Sequence, residues 1–148
     1  MKRNLQLILG LFGAICMGIA LVHIVFGPAA IPGASAVNAS MDSEDRVYAT
    51  MFLAFGAALV WCVRGVERKG RFVYLLSLTF FLGGLARILS ILAVGLPDLL
   101  FILLTGVELV LPLVIVYLQF RVVRAAAAAT AAASASATAP AAPPPPAP

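Results

Sequence analysis

Four apolar stretches dominate the pattern of hydrophobic and polar positions along this chain. They cover about residues 5–26, 47–63, 72–94 and 99–118, and short polar or glycine- and proline-containing segments separate them. A helix that spans a membrane needs about 20 predominantly apolar residues. The pattern therefore predicts an all-α fold, a four-helix transmembrane bundle with up-down-up-down topology, over residues 1–122.

Composition supports a lipid environment for these stretches. The chain is 63% hydrophobic and 11% charged, with a mean hydropathy of +1.09, whereas soluble domains have about 45–50% apolar and about 25% charged residues. Such a chain has too little polar surface to cover a globule in water. The composition therefore predicts the lipid bilayer as a partner of this chain. The net charge of +4 does not indicate nucleic acid, because the basic residues form short clusters beside the spans.

The positions of the basic residues predict an orientation in the membrane. Lys and Arg in short loops mark the cytoplasmic side. In the predicted bundle only Arg46 would lie on the outer side, and Arg87 lies within a span. The others share one side: Lys2, Arg3, the four basic residues of 64–71, Arg121 and Arg124. This arrangement predicts a multi-pass membrane protein with both termini in the cytoplasm.

The first span has a second interpretation as a cleaved signal peptide. The sequence Ala34-Ser35-Ala36 resembles a cleavage site. Signal peptides, however, have apolar cores of about 7–15 residues, and the run from Leu5 to Phe26 is long enough to span. We therefore expect a retained anchor.

Local sequence signals predict how the helices start and pack. Asp42 or Ser43 is the predicted N-cap of the second helix. Small residues at spacings of three and four favour close helix packing, which predicts two packing faces: Gly13, Cys16, Ala20 and His23 on the first span, and Thr50, Ala54 and Ala58 on the second.

The C-terminal segment 123–148 has a different composition from the rest. It contains Ala, Ser and Thr and then Pro, with no large apolar residue after Val123. Such a segment cannot bury a core, and we predict a disordered tail. Its alanine-rich start is expected to continue the fourth helix for a turn or two.

One cation and one anion, Arg87 and Glu108, lie inside otherwise apolar spans. They are about seven and nine residues from the turn at Gly95 and Pro97, which places them at depths of roughly 10 and 14 Å along the two helices. Central charges cost about 2.5–3.5 kcal/mol each on insertion, so mutual pairing inside the bundle is expected. The sequence predicts an intramembrane ion pair.

Polar and helix-distorting residues share the faces of this pair. Ser90, Thr105, Pro112, His23 and Arg46 are the candidate residues to line a cavity beside it. Pro112 has no N–H for the carbonyl of Glu108, which predicts a kink and a free acceptor beside the carboxylate. Two interpretations stay open. The pair fixes the helix register, or it lines an outward-facing cavity for a polar ligand, a lipid head group, a quinone or a proton.

The residue inventory offers little for catalysis or metal binding. The chain has one His and two Cys, and it contains no CxxC, HExxH, P-loop or GxSxG pattern. Cys16 and Cys62 fall at different depths, which predicts two buried thiols and no disulfide. We assign no catalytic residue, metal or cofactor.

Several segments together resemble a known family. They are Ser43-Glu44-Asp45-Arg46 to Phe55-Gly56, Gly83-Gly84-Leu85-Ala86-Arg87-Ile88-Leu89-Ser90, Gly95-Leu96-Pro97 and Glu108-Leu109. Over about residues 5–122 the chain resembles a family of small four-span bacterial membrane proteins catalogued as a domain of unknown function. The resemblance implies a four-helix bundle and no assigned activity. It singles out Arg46, Arg87, Ser90, Gly95, Pro97 and Glu108. A looser similarity to small redox-accessory proteins of the DoxX type rests on size and span count.

These observations favour a non-enzymatic small membrane protein or accessory subunit that contains a buried Arg-Glu pair. It would act with a membrane-protein partner or as a homo-oligomer. One alternative is a membrane enzyme or redox accessory that acts on a lipid-soluble substrate. The other is a transporter or proton pathway, which four spans would form only as an oligomer.

Overall fold

The computed structural model describes residues 1–34 and 36–137, which form four long α-helices. These are α1 (Lys2–Phe26), α2 (Ala39–Val63), α3 (Gly70–Val94) and α4 (Leu99–Ala137), with a short 3₁₀ turn at Gly27–Ala30. All four are long and apolar enough to cross a membrane, and the described residues contain no strand. The predicted all-α bundle of four membrane-spanning helices is confirmed.

The connection between α1 and α2 differs from the prediction. α1 ends at Phe26 and is followed by Gly27, whose φ of 60° lies in the left-handed region that favours glycine. α2 begins earlier than expected, because the Asn38 side chain accepts a hydrogen bond from the Met41 N–H at 2.9 Å and caps the helix. The prediction of Asp42 or Ser43 as N-cap was wrong. Asp42 instead lies in the first turn of α2.

α1 and α2 cross closely at a pair of glycines. A Cβ atom added to Gly13 would lie 2.7 Å from the Gly56 carbonyl oxygen, and one added to Gly56 would lie 2.7 Å from the Gly13 carbonyl oxygen. Cys16 and Ala20 continue the buried face of α1, as its stripe of small residues predicted. The two backbones therefore meet where neither residue has a side chain.

The packing face of α2 is not the predicted one. Thr50 and Ala54 are exposed, so the prediction of a Thr50, Ala54 and Ala58 face was wrong. The helix instead buries the residues of a neighbouring face: Ala49, Gly56, Leu59 and Cys62. Both stripes have helical spacing, and the position of Gly56 opposite Gly13 decides which one faces α1.

The hydrophobic core lies toward one end of the bundle, where Lys2, the 64–69 loop and Arg121 meet. We call this the basic end. Its buried cluster is made of Leu5, Leu9, Leu59, Cys62, Val66, Val73, Ile115 and Val122. Two amide side chains hold the loop to this core. Gln6 donates to the Val63 carbonyl at 2.9 Å, and Gln119 donates to the Val66 carbonyl at 2.8 Å. Cys16 and Cys62 are both buried free thiols, as predicted.

A layer of phenylalanines joins three helices above this core. The Phe12 ring lies 4.7 Å from Phe80 and 6.2 Å from Phe55, both edge-on, and Phe55 stacks on Phe80 at 5.8 Å. Such arrangements of aromatic rings are favourable beyond the area they bury. This layer connects α1 and α2 to α3 at Phe80, about two helical turns before Arg87.

α4 extends well past its predicted span. The helix continues through the alanine-rich segment to Ala137, which is further than the expected turn or two, because alanine has the highest helix propensity. The remainder of the predicted tail, residues 138–148, lies outside the described residues. So does Ser35, the central residue of the sequence that resembles a cleavage site.

Candidate functional site

The predicted intramembrane pair forms a direct contact between α3 and α4. The Nε of Arg87 lies 2.7 Å from Oε2 of Glu108 and donates a hydrogen bond to it. Glu108 is only 7% exposed. A charge-assisted hydrogen bond of this length is strong, and it gives the buried carboxylate the counter-charge it needs.

A glycine on α3 permits this contact. A Cβ atom added to Gly84 would lie 2.9 Å from Cδ2 of Leu109 and 3.1 Å from Cβ of Glu108. The two helices can approach this closely only because Gly84 has no side chain. Arg87, three residues further along α3, then lies on the same side of the helix and meets the carboxylate.

The buried face of α4 contains one charged residue, Glu108, among neutral residues. Its members recur every three or four residues and are Thr105, Glu108, Pro112, Ile115, Gln119 and Val122. Pro112 is fully buried and removes the usual N–H partner of the Glu108 carbonyl. The carboxylate therefore faces the centre of the bundle.

Arg87 is only partly satisfied by this pair. Within the part of the chain that the structure describes, its hydrogen bond to Glu108 uses Nε alone. Its side chain is 37% exposed, and the guanidinium carbon lies 5.4 Å from the centre of the Phe101 ring. The terminal guanidinium nitrogens thus remain available to a further acceptor beside the ring.

A small cavity lies beside the guanidinium. It has a volume of about 70 Å³ and is lined by Arg87, Ser90, Ile91, Pro97, Phe101 and Thr105. The Thr105 hydroxyl donates to the Phe101 carbonyl at 2.8 Å, so its oxygen can still accept one hydrogen bond. A water molecule occupies about 30 Å³ in the liquid, and the cavity therefore has room for about two waters.

The structure brings together some of the predicted site residues and separates others. Ser90 and Thr105 line the cavity beside Arg87. His23 and Arg46 do not, and the expectation that they belong to the same site is corrected. They lie in a second polar cluster, between the end of α1 and the start of α2.

This second cluster, which we call the α1–α2 clamp, consists of His23, Asp42, Asp45 and Arg46. His23 Nδ1 lies 3.1 Å from Oδ2 of Asp45. Arg46 donates from Nε to Oδ2 of Asp42 at 2.8 Å and from a terminal nitrogen to the other carboxylate oxygen at 3.0 Å. It also donates to the backbone carbonyls of Ile24 and Val25. These belong to the last turn of α1, where carbonyls have no partner within the helix.

Some contributors to these two sites were missed by sequence reasoning. The spacing of Asp42 and Arg46, four residues apart on one helix, predicts their ion pair and was the available signal for the clamp. Phe101 lies one helical turn before Thr105, and this spacing was the available signal that Phe101 contributes to the cavity beside Arg87. Among the described residues no three His, Cys, Asp or Glu side chains come together as a metal ligand set.

The helices and the intramembrane pair define a multi-pass membrane protein with a charged contact between its last two helices. The chain belongs to the family described as "Domain of unknown function (DUF4345)", which matches residues 4–119. No curated protein and no solved structure matches the chain. The family match covers all four apolar helices up to Gln119, and it includes both members of the ion pair.

Proposed function

We propose that this chain is a non-enzymatic accessory subunit of the bacterial cytoplasmic membrane that packs against another membrane protein through α3 and α4. The observation that carries the proposal is the incomplete satisfaction of Arg87. Its guanidinium binds Glu108 through Nε alone and is 37% exposed on the side chain. A partner protein would supply the missing acceptors.

The membrane makes this incomplete pairing significant. In hydrocarbon an N–H group without an acceptor costs several kcal/mol, and charged residues in spans pair with one another or with backbone carbonyls. Glu108 satisfies only one of the guanidinium nitrogens. A carbonyl or carboxylate of a neighbouring helix would satisfy the others.

The surface around Arg87 is suited to a neighbouring helix. A Cβ atom added to Gly83 would have nothing within 4 Å, and Ala86 and Ser90 are exposed. Small residues let helix backbones approach closely in membranes. α3 also buries few of its own residues, chiefly Val73, Ser77 and Gly84, so most of its surface is free to meet lipid or a partner.

The size of the cavity favours an interaction over an enzymatic reaction. Small-molecule sites have volumes of about 300–1,000 Å³, whereas the cavity beside Arg87 has about 70 Å³. It accommodates about two water molecules or one polar group of a partner. We further propose that the basic end, with Lys2, the 64–71 loop, Arg121 and Arg124, lies in the cytoplasm, since basic loops are retained on that side.

Photo-crosslinking in the native membrane tests this function. A photoreactive amino acid at Ala86, on the exposed surface beside Arg87, should give one adduct of defined mass. The adduct should be lost in the charge-swapped double variant Arg87→Glu, Glu108→Arg, which keeps the internal ion pair but presents an acid to the partner. The same probe at Ala57, exposed on α2, is the control and should give no adduct.

The mass of the adduct also separates the proposed partners. A mass of twice the chain would show that the partner is a second copy, as an oligomeric transporter or proton pathway requires. Absence of any protein adduct at Ala86, or an adduct that survives the charge swap unchanged, would contradict the accessory-subunit proposal.

A second candidate is binding of a lipid-soluble carbonyl compound at Arg87, which a membrane enzyme or redox accessory would need. The position of the Phe101 ring beside the guanidinium favours it, because a flat head group can stack on the ring while its oxygen accepts from Arg87. Gentle extraction and native mass spectrometry would then show a bound small molecule that Arg87→Gln removes.

A further inference from the structure

A groove opens at the basic end, far from the ion pair. It has a volume of about 270 Å³, and its lining includes Lys2, Glu67, Arg121, Ala125, Ala126 and Ala129. Three parts of the chain build it: the start of α1, the 64–69 loop and the part of α4 beyond the predicted span. We call it the basic groove.

The charges around the basic groove are unbalanced. Lys2 Nζ lies 2.9 Å from Oε1 of Glu67, and Glu67 is the single acid in the sequence segments that form this end. Against it stand eight basic residues: Lys2, Arg3, Arg64, Arg68, Lys69, Arg71, Arg121 and Arg124. Arg121 donates one hydrogen bond, to the Tyr117 hydroxyl at 2.8 Å, which leaves its other N–H groups for an anion.

Aromatic side chains place the basic groove at the level of lipid head groups. Trp61 and Tyr117 are both more than half exposed, and Trp and Tyr are enriched at membrane–water interfaces. Lys69 Nζ lies 3.5 Å from the centre of the Trp61 ring. Arg121 is one helical turn beyond Tyr117, or about 6 Å, so its guanidinium lies just outside this aromatic level.

The wall of the groove is apolar, although its mouth is cationic. α4 continues through Ala137, and its alanines at 125, 126 and 129 form one side of the groove. A glycerol backbone and the first methylene groups of a lipid can lie against methyl groups, while the phosphate reaches the cations. A free inorganic phosphate would leave this wall uncovered.

We propose that the basic groove binds the head group of an anionic phospholipid, with the phosphate between Lys2 and Arg121. Basic pockets between spans bind anionic head groups in this way. The phosphate replaces Glu67 as the acceptor for Lys2 and gives Arg121 a bidentate partner. This site is independent of the partner proposed at Arg87, because the two occupy different ends of α4.

A steric test leaves the charge unchanged. The full-length protein is placed in nanodiscs of equal phosphatidylglycerol and phosphatidylcholine, and native mass spectrometry counts the lipids retained. Ala126→Phe fills the groove, whereas Ala127→Phe adds the same ring to an exposed residue on the opposite side of the helix. We expect Ala126→Phe to lower the ratio of retained phosphatidylglycerol to phosphatidylcholine about fivefold, which corresponds to about 1 kcal/mol, and Ala127→Phe to leave it unchanged.

A charge test complements it. Arg121→Gln and Arg124→Gln each remove one cation within a single turn of α4, but only Arg121 lines the groove. Arg121→Gln should lower the ratio about fivefold more than Arg124→Gln does. Equal losses from both, or no difference between the two alanine variants, would show diffuse surface attraction and overturn the site. Inorganic phosphate that displaces phosphatidylglycerol at millimolar concentration would overturn the assignment to lipid.

Discussion

Gly84 on α3 lies so close to Glu108 on α4 that a Cβ atom added to the glycine would be 3.1 Å from Cβ of the glutamate. Arg87 meets the same glutamate at 2.7 Å. The missing side chain at Gly84 therefore sets the separation of the helices across which the ion pair forms. Packing and electrostatics at this level of the membrane are coupled.

Gly84→Val should weaken the contact between α3 and α4, because the added methyl groups overlap Leu109 and Glu108. Overpacking of this kind costs about 1–3 kcal/mol, measured as the free energy of unfolding in a denaturing-detergent titration. Gly83→Val is the matched control, since a Cβ atom there has nothing within 4 Å. Equal losses from the two variants would show that Gly84 does not set the helix separation.

Glu108→Gln should destabilise the bundle by leaving Arg87 without its counter-charge. Breaking a buried ion pair from one side costs about 3–5 kcal/mol. We expect about 3 kcal/mol here, since the Arg87 side chain is 37% exposed. Thermal unfolding of the protein in nanodiscs measures the loss. A variant as stable as the unmodified protein would show that the pair contributes nothing to folding.

The charge-swapped double variant, Arg87→Glu with Glu108→Arg, should recover most of that stability. The internal attraction is preserved when both charges are exchanged, although the longer side chain then starts from the more buried position. A double variant that is stable but no longer forms the Ala86 adduct would show that Arg87 contacts a partner in addition to fixing the helix register with Glu108. A double variant that is stable and retains the adduct would show that the pair only fixes the helix register.

Gly56→Ala should be costly at the crossing of α1 and α2. Its Cβ atom would lie 2.7 Å from the Gly13 carbonyl oxygen and 3.0 Å from the Met17 backbone nitrogen. Backbone atoms cannot move aside as a side chain can, so we expect a loss of about 3 kcal/mol. Gly18→Ala, with nothing within 4 Å, should be neutral or slightly stabilising in the same titration.

Arg46→Gln should loosen the α1–α2 clamp without unfolding the bundle. The variant removes the bonds to Asp42 and to the Ile24 and Val25 carbonyls. Amide hydrogen exchange at Gly27 and Ile31 should then become at least about tenfold faster, because local opening no longer breaks these bonds. Glu44→Gln, an exposed residue of the same helix, should leave the exchange unchanged.

The sequence predicted the helices and the ion pair for simple physical reasons. The length of each apolar run defines a span, and similar depths on two helices joined by a short turn bring Arg87 and Glu108 together. Both follow from distances along the chain. The positions of the apolar and charged residues along the chain are therefore enough to predict the spans and the pairing of Arg87 with Glu108.

Side-chain direction was harder to predict. Ala49 and Thr50 are neighbours in sequence, yet only Ala49 is buried, because the Gly13–Gly56 contact fixes the rotation of α2. His23 was expected near the ion pair, but Asp45 across the α1–α2 connection holds it instead. The residue that each side chain meets depends on helix rotation, which periodicity alone leaves undetermined.

Native mass spectrometry of the protein extracted gently from its own membrane tests the central claim most directly. The account predicts a stoichiometric complex with a membrane-protein partner. The charge-swapped double variant should lose that partner while remaining folded and should retain lipid at the basic groove. A bare, monodisperse chain, or a complex that is indifferent to the charge swap, would contradict the claim that Arg87 completes its pairing on a partner.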